Sequence, residues 1–315
     1  MARPLRTCFV SGTDKLPSGA TSTRSADATA ESPAAPPVLG AEAQGLLTSF
    51  YDYDATIPLE DRIVERKEYN ASIREKIVFR GVRGAMVPGY FEIPKGAQAS
   101  APCVLLIHGW SGSKESWWKD GGYLSGGNAR KALLEAGYAV FALDAQAHGD
   151  RIAENDYHVV NLYEDPNAPP RKNYFTLRDI ITQTIRDYRR GIDYLATRSD
   201  IDMARIGIVG YSMGGFHAVS LTAVEPRIKA SVGCVVPVSW QEDPILNPAN
   251  YVHAIGDRPF MMAQGKEDPL CNEAQSKILY SLFPKGNTRL VLYDSEHKLP
   301  VDWVADAIPW LTDRL

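Results

Sequence analysis

The stretch Gly210-Tyr211-Ser212-Met213-Gly214-Gly215 decides how this sequence is interpreted. It follows the apolar run Ile206 to Val209, which predicts a buried strand, and it precedes a segment with a helical pattern. A serine in G-x-S-x-G between a strand and a helix is typical of a nucleophile on a sharp, strained turn. Bulk at the second residue before or after the serine would collide with that turn, so glycine is expected there. The helix N-terminus behind Ser212 would place partial positive charge near a developing oxyanion.

Around this stretch, short apolar runs alternate with amphipathic segments. The segment from Leu177 to Leu195 has apolar residues at helical spacing, and Thr176 with Asp179 predicts a capping box at its start. Near-continuous apolar strands between such helices predict an α/β fold with a mostly parallel central sheet and helices on both faces. Further runs that predict strands are residues 104–107, 138–143, 230–238, 259–263 and 289–293.

Three local signals refine this pattern. Residues 76–79 and 86–93 predict a hairpin, and Pro88 in the second run predicts an edge strand or a bulge. Asn128 is expected to cap a helix that ends at Gly137. The glycine pairs before Asn128 lack the remainder of a phosphate-binding motif and predict a flexible loop.

The composition divides the chain into two regions. Residues 1–38 are rich in Ala, Ser, Thr and Pro, which predicts a flexible tail; a targeting segment is the alternative, because arginines come early and acidic residues are few. Residues 39–315 have a globular composition and predict one domain. No large cap domain is expected, because about twenty residues between the strands ending near Val238 and starting near Pro259 are too few for one.

Charge and cysteine usage exclude several classes of function. The 315 residues carry 34 Lys and Arg against 38 Asp and Glu, so no basic excess indicates a nucleic-acid partner. No apolar run approaches the roughly 18 residues that a membrane-spanning helix needs. The four cysteines include no C-x-x-C pair, and the sequence predicts neither a metal nor a cofactor. A cytoplasmic location is expected, and the oligomeric state stays open.

With these motifs, the sequence resembles the α/β-hydrolase superfamily, and within it the esterase branch of dienelactone hydrolases and acetyl xylan esterases. The resemblance covers residues 74–315. Dienelactone hydrolases use a cysteine nucleophile, whereas this chain has Ser212, so the resemblance does not extend to that activity. The motifs that carry it follow successive predicted strands: His108-Gly109-Trp110, Asp144 with His148-Gly149, the Ser212 stretch, Gly265-Lys266-Glu267-Asp268, and Asp294 to His297.

The resemblance implies a catalytic triad of Ser212, Asp268 and His297, in the chain order of that fold. His297 follows the last predicted strand and precedes the closing helix. Asp268 stands where related enzymes place the orienting acid, and its neighbour Glu267 is expected in solvent. Asp294 is the alternative, but a residue three positions from a histidine is badly placed to reach the far ring nitrogen.

The resemblance also implies an oxyanion hole made of two backbone N–H groups, those of Met213 and Trp110. It implies structural roles for Asp144 and His148. The alternative for Trp110 is a packing side chain, and the two roles are compatible.

These residues predict a serine hydrolase that cleaves carboxylic esters of small molecules, with short acyl chains favoured. The alternatives are a peptidase of the prolyl-oligopeptidase type, an acyltransferase or thioesterase, and a binding protein without catalysis. Aromatic residues in the loops either pack those loops or form the wall of a compact acyl pocket. They are Trp110, Trp117, Trp118, Tyr157, Tyr163, Tyr174, Phe175 and Trp240.

Overall fold

The computed structural model describes residues 38–96, 100–155, 157, 175–238 and 243–315. The tail predicted for residues 1–38 therefore lies outside the described residues, apart from Val38.

Nine strands in these ranges form a single sheet. They are β1 (Arg62–Glu68), β2 (Ser72–Arg80), β3 (Met86–Pro94), β4 (Ala101–Ile107), β5 (Ala139–Leu143), β6 (Ile201–Tyr211), β7 (Ile228–Cys234), β8 (Phe260–Gly265) and β9 (Thr288–Tyr293). Their order is β1-β2-β3-β5-β4-β6-β7-β8-β9. The first three strands are antiparallel to their neighbours, and β4 to β9 are parallel, as the apolar runs predicted.

Helices cover both faces of the sheet. They are α1 (Ala41–Ser49), α2 (Gly126–Glu135), α3 (Leu177–Ala196), α4 (Met213–Val224), α5 (Glu273–Ser281) and α6 (Trp303–Thr312). Apolar side chains of α3, α4 and α5 pack in one core cluster, and those of α2 and α6 pack in another. Successive residues of β4, such as Leu105 and Leu106, pack in different clusters, because successive side chains of a strand point to opposite faces of the sheet.

The β2–β3 hairpin is present, but Pro88 marks neither an edge strand nor a bulge, because β3 pairs on both sides without a register shift, so this prediction is wrong. Strand β3 lies between β2 and β5. Its pairing with β5 begins at Gly89, one residue after Pro88, so the missing N–H of proline removes no bond from that ladder. The Pro88 carbonyl accepts a hydrogen bond from the Asp144 N–H at 3.1 Å.

The start predicted for α2 is also wrong. The helix begins at Gly126, after Ser125, rather than at Asn128. Gly126 and Gly127 are buried, and a Cβ on either would overlap the Ser116 carbonyl or the Asp120 carboxylate. This glycine pair is therefore a close contact between the helix and the preceding loop, not a flexible loop.

The connection from β7 to β8 holds two short 3-10 helices in its described part, Pro248–Asn250 and Val252–Ile255. This agrees with the expected lack of a large cap at that position. In the part of the chain that the structure describes, no helix has the length and apolar character needed to cross a membrane.

Candidate active site

Ser212 occupies the sharp turn between β6 and α4. Its backbone angles are φ 58° and ψ −117°, in a region that side-chain-bearing residues rarely adopt. A Cβ on Gly210 would overlap the Gly214 carbonyl, and one on Gly214 would overlap the Ile107 carbonyl. The two glycines thus allow the strand, the helix and β4 to approach closely enough to form the turn.

The structure brings Ser212, His297 and Asp268 together. The Ser212 Oγ lies 2.7 Å from His297 Nε2, and His297 Nδ1 lies 2.8 Å from Asp268 Oδ2. A carboxylate only accepts hydrogen bonds, so Nδ1 carries the proton and Nε2 accepts from the serine hydroxyl. The Asp268 side chain is fully buried, and its second oxygen accepts the Leu270 N–H at 2.8 Å. In this arrangement the histidine can take a proton from the serine while the buried carboxylate fixes the ring.

The alternative carboxylates lie elsewhere. The Asp294 side chain is 90% exposed and pairs with Lys266 at 2.6 Å. Glu267 is exposed. Neither is the carboxylate that contacts His297.

Tyr211 belongs to the site although the sequence interpretation passed over it. Its hydroxyl donates to the His297 carbonyl at 3.2 Å and accepts the Leu299 N–H at 2.9 Å. Burial raises the pKa of this hydroxyl, so it keeps its proton and can donate it to the His297 carbonyl. The strand residue before the serine therefore holds the backbone of the loop that carries His297. Its position inside the G-x-S-x-G motif was the only available signal.

A cavity of about 460 Å³ opens in front of Ser212. Trp110, one of the two residues expected to supply an oxyanion donor, lines it. Met213 is the first residue of α4, so its N–H has no acceptor within the helix. The cavity lining is Gly109, Trp110, Ser111, Gly112, Ser116, Tyr123, Leu124, Tyr211, Ser212, Leu270 and His297.

The loop aromatics divide between the two expectations. Trp110 lines the cavity, and so does Tyr123, which the sequence interpretation did not include. Trp117 is fully buried in the core, and the Trp118 indole N–H donates to Glu92 at 2.6 Å, so both pack rather than line the cavity. Tyr157 is 81% exposed. Tyr163, Tyr174 and Trp240 lie outside the described residues.

Among the residues that the structure describes, three other histidines are buried: His108, His148 and His217. His108 Nδ1 donates to the Gly109 carbonyl at 2.8 Å, and its Nε2 accepts the Ala145 N–H at 3.0 Å, a pattern that needs a neutral ring. Burial lowers the pKa of His108 and of His148 to about 4, and that of His217 to about 3. The described residues hold no group of three or more His, Cys, Asp or Glu side chains placed to bind a metal ion.

Comparison with known sequences shows the family to which this chain belongs. A profile described as "Alpha/beta hydrolase family" matches residues 104–311. The chain belongs to the alpha/beta hydrolase family. This confirms the family predicted from the strand-end motifs.

Individual proteins that are similar to this hydrolase share less than a third of its residues in the aligned regions. The chain is 29% identical over 175 residues to YtaP of Bacillus subtilis (strain 168), covering 54% of each chain. It is 26% identical over 198 residues to the thiohydrolase apmlB of Arthrinium phaeospermum, covering 62% of this chain and 54% of that one. The match thus spans about half the length of either relative. Among solved structures, the acetyl xylan esterase from Paenibacillus sp. R4 has a TM-score of 0.64 at 19% identity, covering 87% of this chain and 93% of that one.

Proposed function

We propose that this hydrolase cleaves carboxylic esters by forming an acyl-enzyme on Ser212. The observation that supports the proposal most directly is the continuous hydrogen-bonded chain from buried Asp268 through His297 to the Ser212 hydroxyl at the cavity. A binding pocket without catalysis has no need of all three groups in this geometry.

In the first step, Ser212 Oγ attacks the ester carbonyl carbon while His297 Nε2 takes the hydroxyl proton. The carbonyl oxygen becomes an oxyanion, which the Met213 and Trp110 N–H groups are proposed to stabilise. The bond to the alcohol oxygen breaks, and His297 returns its proton to that oxygen. In the second step, water attacks the carbonyl carbon of the acyl-enzyme while His297 takes a proton from it. The bond to Ser212 Oγ then breaks, His297 returns the proton to that oxygen, and the carboxylic acid leaves.

The proposed substrates are esters with short acyl chains. The cavity is compact, and the aromatic residues Trp110, Tyr123 and Tyr211 are among those that line it. Long acyl chains need a broad apolar groove, which a compact cavity of about 460 Å³ does not offer. The acyl group of the substrate that names the similar Paenibacillus enzyme is acetyl, which supports the same preference.

The test is kcat/KM for p-nitrophenyl esters from acetyl to lauroyl, combined with the variant Ser212→Ala. We expect the maximum at acetyl to butyryl and loss of nearly all turnover in Ser212→Ala. Ser220→Ala is the matched control, because Ser220 is a buried serine of α4, the helix that begins directly after Ser212, and its hydroxyl donates to the Phe216 carbonyl at 2.9 Å. A maximum at octanoyl or longer would refute the compact acyl pocket. Full turnover in folded Ser212→Ala would refute the nucleophile.

Thioester hydrolysis is the second candidate, because one relative is named a thiohydrolase. The same nucleophile and oxyanion hole can act on a thioester carbonyl. Acetyl esters and acetyl thioesters of matched leaving-group size separate the two functions by their kcat/KM. Amide substrates in the same panel test the peptidase alternative, and labelling of Ser212 by a fluorophosphonate probe tests whether the serine is activated at all.

A further inference from the structure

The loop that follows β4 forms one wall of the cavity. Gly109, Trp110, Ser111 and Gly112 line the cavity beside Ser212. A Cβ on Gly109 would lie 3.1 Å from the Ser212 Cβ, so the backbone of this loop passes directly over the nucleophile. Ser111 has φ 63°, a left-handed conformation that costs energy in a residue other than glycine. Such a conformation persists only where the surrounding structure holds it.

A buried ion pair lies directly after this stretch of the loop. Lys114, two residues beyond Gly112, is completely buried, and its Nζ lies 2.7 Å from Asp144 Oδ2. Its backbone N–H donates to the other oxygen, Asp144 Oδ1, at 2.8 Å. Asp144 follows β5, and its Oδ2 also accepts the Asp150 N–H at 2.9 Å. One carboxylate therefore joins the loop after β4 to the loop after β5.

The surroundings strengthen the junction. The Lys114 ammonium also contacts the Asp150 carboxylate at 3.0 Å and the Glu115 carboxylate at 2.9 Å. Asp150 in turn pairs with Lys76 of β2 at 2.6 Å. Gly149 leaves the space that the Asp144 carboxylate occupies, because a Cβ there would overlap it.

Stability alone is a weak reason for this pair. Removing two charges from water costs several kcal/mol per ion, and well-packed apolar residues often replace a buried ion pair without loss of stability. The pair supplies instead two directional bonds to one residue of the loop, one to its backbone and one to its side chain. An error of about 1 Å in the position of a catalytic group costs on the order of a hundredfold in rate.

We propose that Lys114 and Asp144 are positioning residues, which hold the Gly109–Gly112 backbone where the Trp110 N–H meets the developing oxyanion. This inference rests on the proposed function, because it concerns the oxyanion hole of the same reaction. It assigns Asp144 a role beyond the structural one that the family resemblance implied.

The test compares Asp144→Asn with Glu75→Gln. Both replace a buried, ion-paired carboxylate by the amide of the same shape. Glu75 pairs with Arg66 and Arg198 at 2.7 Å each, and it does not line the cavity. We expect both variants to lose stability in urea unfolding. Only Asp144→Asn should lose kcat for p-nitrophenyl acetate, by about tenfold or more, with KM changed by less than about twofold, because the lost interaction acts only in the transition state.

A second readout separates positioning from a merely structural role. A trifluoromethyl ketone forms a tetrahedral adduct with an active-site serine and places an oxyanion in the hole. The inhibition constant of the ketone should rise in Asp144→Asn by the same factor by which kcat falls. The inhibition constant of a product carboxylic acid should stay unchanged. If Asp144→Asn fails to fold, the double variant Lys114→Met with Asp144→Asn leaves no unpaired buried charge and should show the same loss of kcat.

The outcomes are distinguishable. If the wild-type protein hydrolyses no ester, or if Ser212→Ala retains hydrolysis, the proposed function itself fails. If those two results stand but a folded Asp144→Asn keeps its kcat and its affinity for the ketone, only the positioning role is refuted. An equal loss of kcat in Glu75→Gln would also refute it, since the effect would then be a general consequence of destabilisation.

Discussion

At the scale of single residues, burial separates the two aspartates that could serve His297. Asp268 is fully buried and contacts the ring, whereas Asp294 is exposed and contacts Lys266. In the proposed mechanism, a buried carboxylate beside the histidine fixes the ring orientation and stabilises the imidazolium. An exposed carboxylate on the surface does neither.

We therefore predict that Asp268→Asn lowers kcat by roughly 10⁴, the scale measured when such an acid is neutralised in a serine protease. Asp294→Asn serves as the control and should leave kcat within about twofold, because an exposed ion pair contributes little. Steady-state kinetics on p-nitrophenyl acetate measures both. If the two effects were reversed, Asp294 would be the orienting acid.

The Tyr211 hydroxyl supports a second prediction. Tyr211→Phe removes the bonds to the His297 carbonyl and to the Leu299 N–H. We expect a loss of about 1 kcal/mol in the free energy of unfolding and a decrease in kcat, because the loop that carries His297 loses its anchor. The control is Tyr138→Phe, which deletes a hydroxyl that donates to the Thr312 carbonyl at 2.9 Å, away from the cavity. Equal kcat in the two variants would show that Tyr211 stabilises the fold only.

At the scale of elements, the start of α3 was predicted from its own sequence. The Thr176 hydroxyl accepts the Asp179 N–H at 3.2 Å, and the Asp179 carboxylate accepts the Thr176 N–H at 3.0 Å, as the predicted capping box requires. All partners lie within four residues, so no distant contact was needed to foresee it.

We predict that Thr176→Ala lowers the free energy of unfolding by about 1 kcal/mol, since one N–H of the first turn loses its acceptor. Thr197→Ala at the other end of the same helix is the control. Its hydroxyl only donates back to the Tyr194 carbonyl, so its removal should cost less. Urea unfolding monitored by circular dichroism compares the two, and an equal cost would argue against the capping role.

Strand β1 had no comparable signal. All seven of its residues are exposed, and its sequence RIVERKE is dominated by charges. With no face to bury, it has no alternation of apolar and polar residues from which a strand could be predicted. Charged residues on an edge strand, together with the irregular register between Ile63 and Glu65, discourage pairing with another chain.

At the scale of the whole molecule, we expect the three histidines that are buried in the described part of the chain to make stability depend on pH. His108, His148 and His217 have pKa values lowered by burial to about 4, 4 and 3. In the unfolded chain each of these rings takes up a proton near pH 6.5. In the native protein the same three rings take up no proton until about pH 4. Between these values the unfolded state binds more protons, so stability falls as the pH falls, and above about pH 6.5 the effect is absent.

We predict that the free energy of unfolding decreases between about pH 6.5 and pH 5, by up to about 2 kcal/mol for each histidine. Removing one of them in His148→Gln should make this dependence shallower. His253→Gln is the control, because it makes the same substitution at an exposed histidine. Urea unfolding across this pH range measures the slopes, and a wild-type protein with constant stability over the range would contradict the prediction.

The sequence by itself determined the parts of this protein that depend on neighbours along the chain. The alternation of apolar runs and amphipathic helices specified a mostly parallel sheet covered on both faces, because side-chain periodicity is a local property. The glycines around Ser212 specified the sharp turn for the same reason. The family followed from these motifs, and the roles of Ser212, Asp268 and His297 stay predictions that the kinetic tests above address.

Only the tertiary structure decided which distant groups meet. The contact between Tyr211 and His297 joins residues 86 positions apart, and the Lys114–Asp144 pair joins residues 30 positions apart. The same folding left Asp294 in solvent and removed Asp268 from it. Such pairings depend on strand order and on which loops share an edge of the sheet, and neither property is encoded in a local pattern of residues.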